Sequence, residues 1–273
     1  MIRDVISESA SEDAEPDAAE VLAIDVGNSR VNLGAVRGGR AIETAMVAST
    51  ELDGLAKAVE RVWGRLEEAQ QRVAVAGSVA PEVLERVDMT VGDVTGQELL
   101  VIRDQIDLPM PVAVENPEAV GVDRVCAAAA AYAELNQACV VADFGTAIKI
   151  DLVSDDGVFM GGAILPGLKL SAMALEEHTA ALPLVDIVEP THPWGRDTRE
   201  AISNGVFYGA VGALREIVER YATEVGRWLP LVATGGAAEM IARHAEFIDH
   251  VVGDLTLRGI ALAYHRARSC QDD

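Results

Sequence analysis

The sequence predicts an α/β protein built from two similar halves, and three observations support this. The chain has 273 residues, half of them hydrophobic, which is enough for one large or two small globular domains. Short apolar runs bounded by turn residues alternate with longer stretches of helical spacing. An apolar run that ends in Asp-x-Gly followed by a polar residue occurs twice, at residues 21–29 and 139–147.

The first half reads as a meander of three strands followed by alternating helix and strand. The Arg37-Gly38-Gly39-Arg40 turn separates the second strand from the third, and the spacing of Leu55, Val59 and Val62 indicates a helix after them. The predicted elements are strands at residues 21–25, 31–36 and 41–47, a helix within 52–71, a strand at 73–76 and a helix that begins at Pro81.

The second half repeats this plan, and the boundary between the halves is predicted near residue 137. Its predicted elements are strands at residues 138–143, 147–153 and 158–165, a long helix over about 198–221, and a strand at 229–233 with more helix after it. The predicted organisation is an acidic tail at residues 1–19, an N-terminal half at 20–137 and a C-terminal half at 138–273.

Composition narrows the classes of partner and location. The chain carries 22 basic and 44 acidic residues, a net charge of −22, which disfavours nucleic acid and anionic membranes as partners. The acidic start lacks the apolar core of a signal peptide, and no apolar run reaches the ~18 residues of a membrane helix. Three cysteines without CxxC spacing indicate reduced thiols, so a cytoplasmic location is expected.

The first Asp-x-Gly turn, Asp25-Val26-Gly27-Asn28-Ser29, carries groups suited to phosphate and metal binding. A carboxylate at a strand end is available to a metal ion or its water shell. Gly27 allows close approach of a ligand, and Asn28 and Ser29 add donors to the backbone N–H groups. The same residues are common in ordinary hairpin turns, so the motif alone leaves both interpretations open.

Two further segments carry candidate chemistry. The second turn, Asp143-Phe144-Gly145-Thr146, repeats the first, and Thr234-Gly235-Gly236 ends a strand where a flat ligand such as adenine could lie on the backbone. A plain strand-to-helix turn explains the latter equally well.

Gly121-Val122-Asp123-Arg124 precedes an Ala-rich helical stretch. Asp123 is either a helix cap or a general base, and the Arg124 guanidinium suits an anionic substrate.

Taken in order, these motifs resemble those of type III pantothenate kinases over residues 21 to about 267. The resemblance also includes further segments of the chain. These are Gly77-Ser78-Val79-Ala80-Pro81, Asn116-Pro117, Gly161-Gly162-Ala163-Ile164-Leu165-Pro166-Gly167, Thr179-Ala180-Ala181-Leu182-Pro183 and Gly195-Arg196-Asp197-Thr198. The resemblance implies the actin-like ATPase fold, with duplicated ribonuclease H-like domains, mixed sheets and an interdomain cleft. It also implies a homodimer.

The resemblance further implies an activity, in which pantothenate is phosphorylated with ATP and Mg²⁺ in the first step of coenzyme A synthesis. It assigns roles as follows. Asp123 is the catalytic base. The residues that bind ATP are Asp25, Val26, Gly27, Asn28, Ser29, Arg30, Val31, Asn32, Thr146, Gly235 and Gly236, and those that bind pantothenate are Gly121, Val122, Asp123, Arg124 and Thr198. Asp25 holds Mg²⁺ directly or through water, and Asp143 holds a monovalent cation, K⁺ or NH₄⁺.

Two positions depart from the family pattern. Val114 stands nine residues before Asp123, where the family often has a tyrosine that touches pantothenate. Lys149 stands where the family usually has a small or hydroxyl residue. Lys149 either contacts phosphate and replaces part of the cation's role or, as the preferred interpretation, is a surface lysine of the hairpin.

Other functions remain open at this point. One alternative is a kinase for another small hydroxy or carboxylate substrate, such as a sugar or acetate kinase, or an exopolyphosphatase of the same fold. The other is a non-catalytic regulatory accessory factor, which would be expected to lose Asp25 or Asp123. A DNA-binding regulator would be expected to carry a basic patch, which the net charge of −22 disfavours.

Overall fold

The computed structural model describes residues 19–67 and 69–269. Residues 1–18 of the predicted acidic tail and Cys270 lie outside the described residues, whereas Ala19 is buried and belongs to the folded core. Two mixed five-stranded sheets with flanking helices confirm the predicted α/β class. The chain forms two compact units. The first unit contains the described residues up to Gln137, together with 156–159 and the segment from Asp254, and the second contains 138–155 and 160–253.

The sheet of the first unit has the strand order β3-β2-β1-β4-β5. Its strands are β1 (Glu20–Val26), β2 (Arg30–Arg37), β3 (Arg40–Ala48), β4 (Arg72–Ser78) and β5 (Leu99–Val101). The first three form the predicted antiparallel meander, while β4 and β5 run parallel to β1.

Helices cover both faces of this sheet: α1 (Leu55–Gly64) and α2 (Pro81–Thr95) on one, α3 (Val122–Leu135) and α7 (Leu255–Ser269) on the other. Alternate residues of β1 explain this, because Leu22 and Ile24 pack in one core and Val21 and Ala23 in the other. Helix α1 is shorter than predicted, since after Gly64 the backbone continues in tight turns.

Helix α7 packs within the first unit, although the sequence analysis placed residues 254–269 in the second half. Its apolar side chains, such as Ile260 and Ala263, bury the face of β1 that carries Val21 and Ala23. A β-carbon at Gly259 would overlap the backbone carbonyl of Cys126 in α3, so the two helices cross in close contact there. Chain order alone does not indicate which sheet a terminal helix covers.

The second unit has the strand order β10-β9-β6-β7-β8. Its strands are β6 (Cys139–Phe144), β7 (Ala147–Val153), β8 (Phe159–Pro166), β9 (Leu231–Thr234) and β10 (His250–Val251), and its helices are α4 (Leu168–Glu177), α5 (Thr198–Val225) and α6 (Ala238–Ala242). The antiparallel β6–β7 hairpin corresponds to the β1–β2 hairpin of the first unit. Each hairpin also has a parallel neighbour, β9 beside β6 and β4 beside β1.

The structure also bears on the expectations that the chain has no membrane helix and that its cysteines are reduced. Within residues 19–67 and 69–269, none of the helices combines the length and the apolar character of a membrane span. Cys126 and Cys139 are buried free thiols. Burial raises the pKa of the Cys139 thiol to about 12.

Candidate active site

The first Asp-x-Gly turn joins β1 to β2 as a tight, well-anchored hairpin. The Asp25 carboxylate accepts a hydrogen bond at Oδ2 from the Asn32 side-chain amide, at 2.9 Å, directly across the strand pair. The Gly27 N–H donates to the Arg30 carbonyl at 2.9 Å, and the Ser49 hydroxyl donates to the Gly27 carbonyl at 2.8 Å. These bonds fix both the orientation of the carboxylate and the path of the turn.

The eight residues predicted to bind ATP around this turn differ in what they expose. Asn28, Ser29 and Arg30 are exposed, and the side chains of Val26 and Val31 are fully buried in the core. Val26 and Val31 can therefore contact a ligand only through their backbone. The turn can present N–H and hydroxyl donors to phosphate oxygens.

Asp123 lies in the first turn of α3, and its carboxylate folds back over Gly121. A β-carbon at Gly121, the residue that precedes the helix, would overlap Oδ1 of Asp123. A negative charge in a first helical turn is stabilised by the helix dipole. The absence of a side chain at Gly121 leaves the room that the Asp123 carboxylate occupies.

Asp25 and Asp123 lie near one another in the first unit. Asp25 pairs in register with Gly77 on β4, and a β-carbon at Gly77 would lie 3.0 Å from the Val122 side chain. Burial raises the pKa of the Cys126 thiol well above its usual value, and the negative charges of Asp25 and Asp123 raise this pKa further. The structure thus brings two predicted site carboxylates to one neighbourhood, around the start of α3.

Arg103 is a residue of this neighbourhood that the sequence analysis missed. Its guanidinium donates through Nη1 to the Glu118 carboxylate at 3.0 Å, and through Nη2 to the carbonyls of Pro117 and Val120 at 2.8 and 2.9 Å. Its backbone adopts a left-handed conformation, with φ of 82°. Among the described residues, its Nε is a buried side-chain atom without a hydrogen-bond partner. Arg103 holds the segment that leads into Gly121, and no sequence motif indicates this role.

The guanidinium of Arg124 lies over the ring of Phe159, 5.3 Å from the ring centre. Stacking on an aromatic face restricts a guanidinium while leaving its edge able to bind an anion. Val114, the departure from the family pattern, is partly buried in the same unit.

In the second unit, Asp143 forms an ion pair with Lys149. The two residues face each other across the β6–β7 hairpin, and the Lys149 Nζ lies 2.7 Å from Oδ2 of Asp143. The side chains of Lys149 and Asp143 are 20% and 22% exposed. The Lys149 ammonium is therefore held at the predicted site carboxylate, and its side chain is partly buried rather than fully exposed on the hairpin.

Two glycine turns pack against the second Asp-x-Gly motif. The Gly167 N–H donates to the Thr146 carbonyl at 3.0 Å, and a β-carbon at Gly167 would overlap the carbonyls of Gly145 and Thr146. Gly235 has a φ of 90°, and a β-carbon there would overlap Oδ1 of Asp143 and lie 2.7 Å from the Phe144 carbonyl carbon. The structure thus brings Asp143 and Gly235 together, with Thr146 and Gly236 exposed.

Thr198 is the exposed first residue of α5, capped by Asp197, whose side chain accepts a hydrogen bond from the Glu200 N–H at 2.9 Å. Thr198 also lines an open cavity of about 540 Å³ in the second unit, whose other walls are mostly apolar and come from α4, α5 and the end of β8.

The described residues contain no group of three or more His, Cys, Asp or Glu side chains that could hold a metal ion. Mg²⁺ is commonly bound by one or two carboxylates, water and the phosphates of a nucleotide rather than by a cage of protein ligands. Asp25, at the end of β1 beside exposed turn donors, fits this mode of binding.

Comparison with known proteins identifies the relatives of this chain. The family model described as type III pantothenate kinase matches residues 21–220. A type III pantothenate kinase of Geobacter sulfurreducens is 36% identical, with 91% of this chain and 99% of the relative covered. One from Anaeromyxobacter sp. is 37% identical, with 91% of this chain and the whole relative covered.

Solved structures with little sequence identity share the fold. A Baf family transcriptional activator from Campylobacter jejuni superposes with a TM-score of 0.61 at 18% identity, covering 91% of this chain and 99% of the other. Component A of (R)-2-hydroxyglutaryl-CoA dehydratase from Acidaminococcus fermentans gives a TM-score of 0.53 at 15% identity, covering 94% of this chain and the whole of the other. The predicted actin-like ATPase fold, with its duplicated ribonuclease H-like domains, is confirmed.

Proposed function

The chain belongs to the type III pantothenate kinase family, and we propose the roles of its residues on that basis. It is a pantothenate kinase, which transfers a phosphoryl group from ATP to pantothenate, with a divalent metal, in coenzyme A biosynthesis. The match over residues 21–220 is the observation that carries this conclusion.

Asp123 is the proposed general base, which takes the proton from the attacking pantothenate hydroxyl. Its carboxylate lies over Gly121, in the first turn of α3. Phosphoryl transfer requires positioning and charge neutralisation more than covalent chemistry, and a carboxylate within hydrogen-bond reach of the hydroxyl is the expected base. The Gly121 and Val122 backbone and Arg124 complete the proposed pantothenate site, with Arg124 binding the substrate carboxylate.

The two Asp-x-Gly turns, one in each unit, are the proposed phosphate sites. In the first unit, residues 25–32 offer a fixed carboxylate and exposed turn donors. Asp25 would hold Mg²⁺ through water, and the metal would neutralise phosphate charge. In the second unit, Thr146 and the Gly235-Gly236 turn would contact ATP. The predicted monovalent cation at Asp143 stays a prediction, and it competes with Lys149 for the same carboxylate.

A homodimer is the proposed assembly. The second unit exposes large apolar side chains on and near β8 and α4, including Ile164, Leu170 and Met173. Leu170 and Met173 lie three residues apart on α4 and so share one side of that helix, and a group of exposed apolar side chains commonly marks a protein–protein contact. The mostly apolar cavity beside them reaches Thr198, the predicted substrate residue. Sedimentation should therefore give about twice the 28.9 kDa chain mass, and a monomer with full activity would contradict this assembly. The cytoplasmic location also stays a prediction.

A comparison of two substrates tests the proposed role of Arg124. Wild-type enzyme should strongly prefer pantothenate over pantothenyl alcohol, which lacks the carboxylate. Arg124→Ala should raise the KM for pantothenate by roughly tenfold or more, because a charge-assisted hydrogen bond is lost, and should leave the KM for the alcohol nearly unchanged. The assay follows ADP release with ATP and Mg²⁺. Equal losses for the two substrates would show that Arg124 does not bind the carboxylate.

A further inference from the structure

The ion pair between Lys149 and Asp143 determines the charge at the second Asp-x-Gly turn. Asp143 is the last polar residue of β6 before Gly145, and Lys149 is its partner across the hairpin. One carboxylate oxygen, Oδ2, lies 2.7 Å from the Lys149 ammonium. The other, Oδ1, faces Gly235 and Gly145.

This arrangement does not fit the monovalent cation that the family resemblance implies. K⁺ requires several oxygen ligands, whereas an ammonium group donates hydrogen bonds and offers no lone pair. Lys149 already neutralises the Asp143 carboxylate. A second positive charge on the same carboxylate would lie only a few ångströms from the ammonium, and the repulsion between them would weaken K⁺ binding by at least about tenfold.

We propose that the Lys149 ammonium permanently takes the place of the monovalent cation at the second Asp-x-Gly turn. The positive charge next to the ATP-binding Gly145-Thr146 turn is then supplied by the chain itself, and ATP binding is independent of added K⁺ or NH₄⁺. The inference rests on the proposed function only in that ATP is the ligand of this turn. It does not depend on which hydroxyl compound accepts the phosphoryl group.

A simpler role is a cross-strand ion pair that stabilises the hairpin and does nothing else. Such pairs contribute modestly to sheet stability. This role predicts that removal of the ammonium affects unfolding without making ATP binding dependent on K⁺. The two roles are therefore separated by the dependence of ATP affinity on the cation.

The test measures ATP–Mg²⁺ binding by calorimetry without pantothenate, in choline chloride, KCl or NH₄Cl at one ionic strength of about 0.15 M. Wild-type protein should bind ATP with the same affinity in all three salts, within about twofold, and its melting temperature should not depend on K⁺. If K⁺ tightens ATP binding to the wild-type protein by about tenfold or more, Lys149 does not replace the cation. Binding without phosphorylation of pantothenate would count against the proposed function alone.

Two variants at position 149 complete the test, with an exposed lysine on α1 as the matched control. Lys149→Met should bind ATP about tenfold more weakly in choline chloride, the scale of one lost charge-assisted interaction, and KCl or NH₄Cl should restore most of the loss. Lys149→Arg, which keeps the charge, and Lys57→Met, which removes an exposed charge elsewhere, should stay independent of K⁺. If Lys149→Met binds ATP like the wild type in every salt, the proposal is wrong and the ion pair only stabilises the hairpin. If Lys149→Met does not fold, Lys149→Gln, which also lacks the ammonium, is measured in the same three salts, and the same two outcomes decide.

Discussion

Replacement of Gly235 by alanine is expected to lower the free energy of unfolding by more than the left-handed backbone conformation of Gly235 alone explains. Gly235 has a φ of 90°, and a β-carbon there would overlap the Asp143 carboxylate and the Phe144 backbone. Gly226, which follows α5, is a matched control, because it has a φ of 82° and no atom lies within 4 Å of an added β-carbon.

The expected magnitudes follow from these two environments. An alanine in the left-handed region costs about 1 kcal/mol, so Gly226→Ala should lower the free energy of unfolding by roughly that amount. Gly235→Ala carries the same cost and adds the cost of forcing an atom into a packed site, about 1–3 kcal/mol. The total for Gly235→Ala is then about 2–4 kcal/mol.

Urea unfolding followed by circular dichroism measures both variants, and calorimetry measures their ATP affinity. Gly235→Ala should be the less stable variant by at least about 1 kcal/mol and should bind ATP more weakly, because relief of the overlap requires Asp143 or the turn to move. Gly226→Ala should bind ATP like the wild type. Equal stability losses for the two variants, with unchanged ATP affinity, would refute the close packing of Gly235 on Asp143.

Three further predictions concern the first unit and the thiols. Asp123→Asn should lower kcat by ~100-fold or more while ATP binding is nearly unchanged, as steady-state kinetics and calorimetry would show. A near wild-type rate would leave Asp123 only a favourable interaction with the α3 dipole. In a Cys270→Ser variant, Cys126 and Cys139 should not react with a disulfide reagent at about pH 8 until the protein is unfolded, because burial raises the pKa of both thiols. Burial lowers the pKa of His265 below its usual 6.5, so the free energy of unfolding should fall as the pH decreases below 6.5. His265→Gln should reduce this loss of stability, and an unchanged loss in the variant would exclude His265 as its cause.

The two hairpins could be predicted from the sequence because local signals specify them. Residues 21–25 and 139–143 are apolar runs that lead into an Asp-x-Gly turn. Each forms a strand that pairs with the next strand in an antiparallel hairpin. The start of α3 was predictable for a similar reason, since Asp123 precedes an Ala-rich stretch and an acidic residue is favoured near a helix N-terminus. The proposed roles of Asp25 and Asp123 stay predictions, and they rest on the order of motifs along the chain, which is specific even though each motif is weak alone.

Features that depend on tertiary packing could not be predicted in this way. Helix α7 packs on the first sheet because β1 leaves an apolar face there, and its position at the end of the chain indicates nothing about this. Arg103 binds the segment before Gly121 through contacts with Pro117, Glu118 and Val120, which are 14–17 residues away in sequence. The pairing of Lys149 with Asp143 follows from their register, which becomes definite only once β6 and β7 are aligned.

The most direct test of the proposed function identifies the product. The full chain is incubated with ATP, Mg²⁺ and isotopically labelled pantothenate, and the products are quantified by mass spectrometry beside parallel reactions with a sugar and with acetate. The predicted result is labelled 4'-phosphopantothenate formed in equal amount with ADP, with no product from the other two compounds. Phosphorylation of the sugar or acetate without phosphopantothenate would contradict the assignment of the reaction.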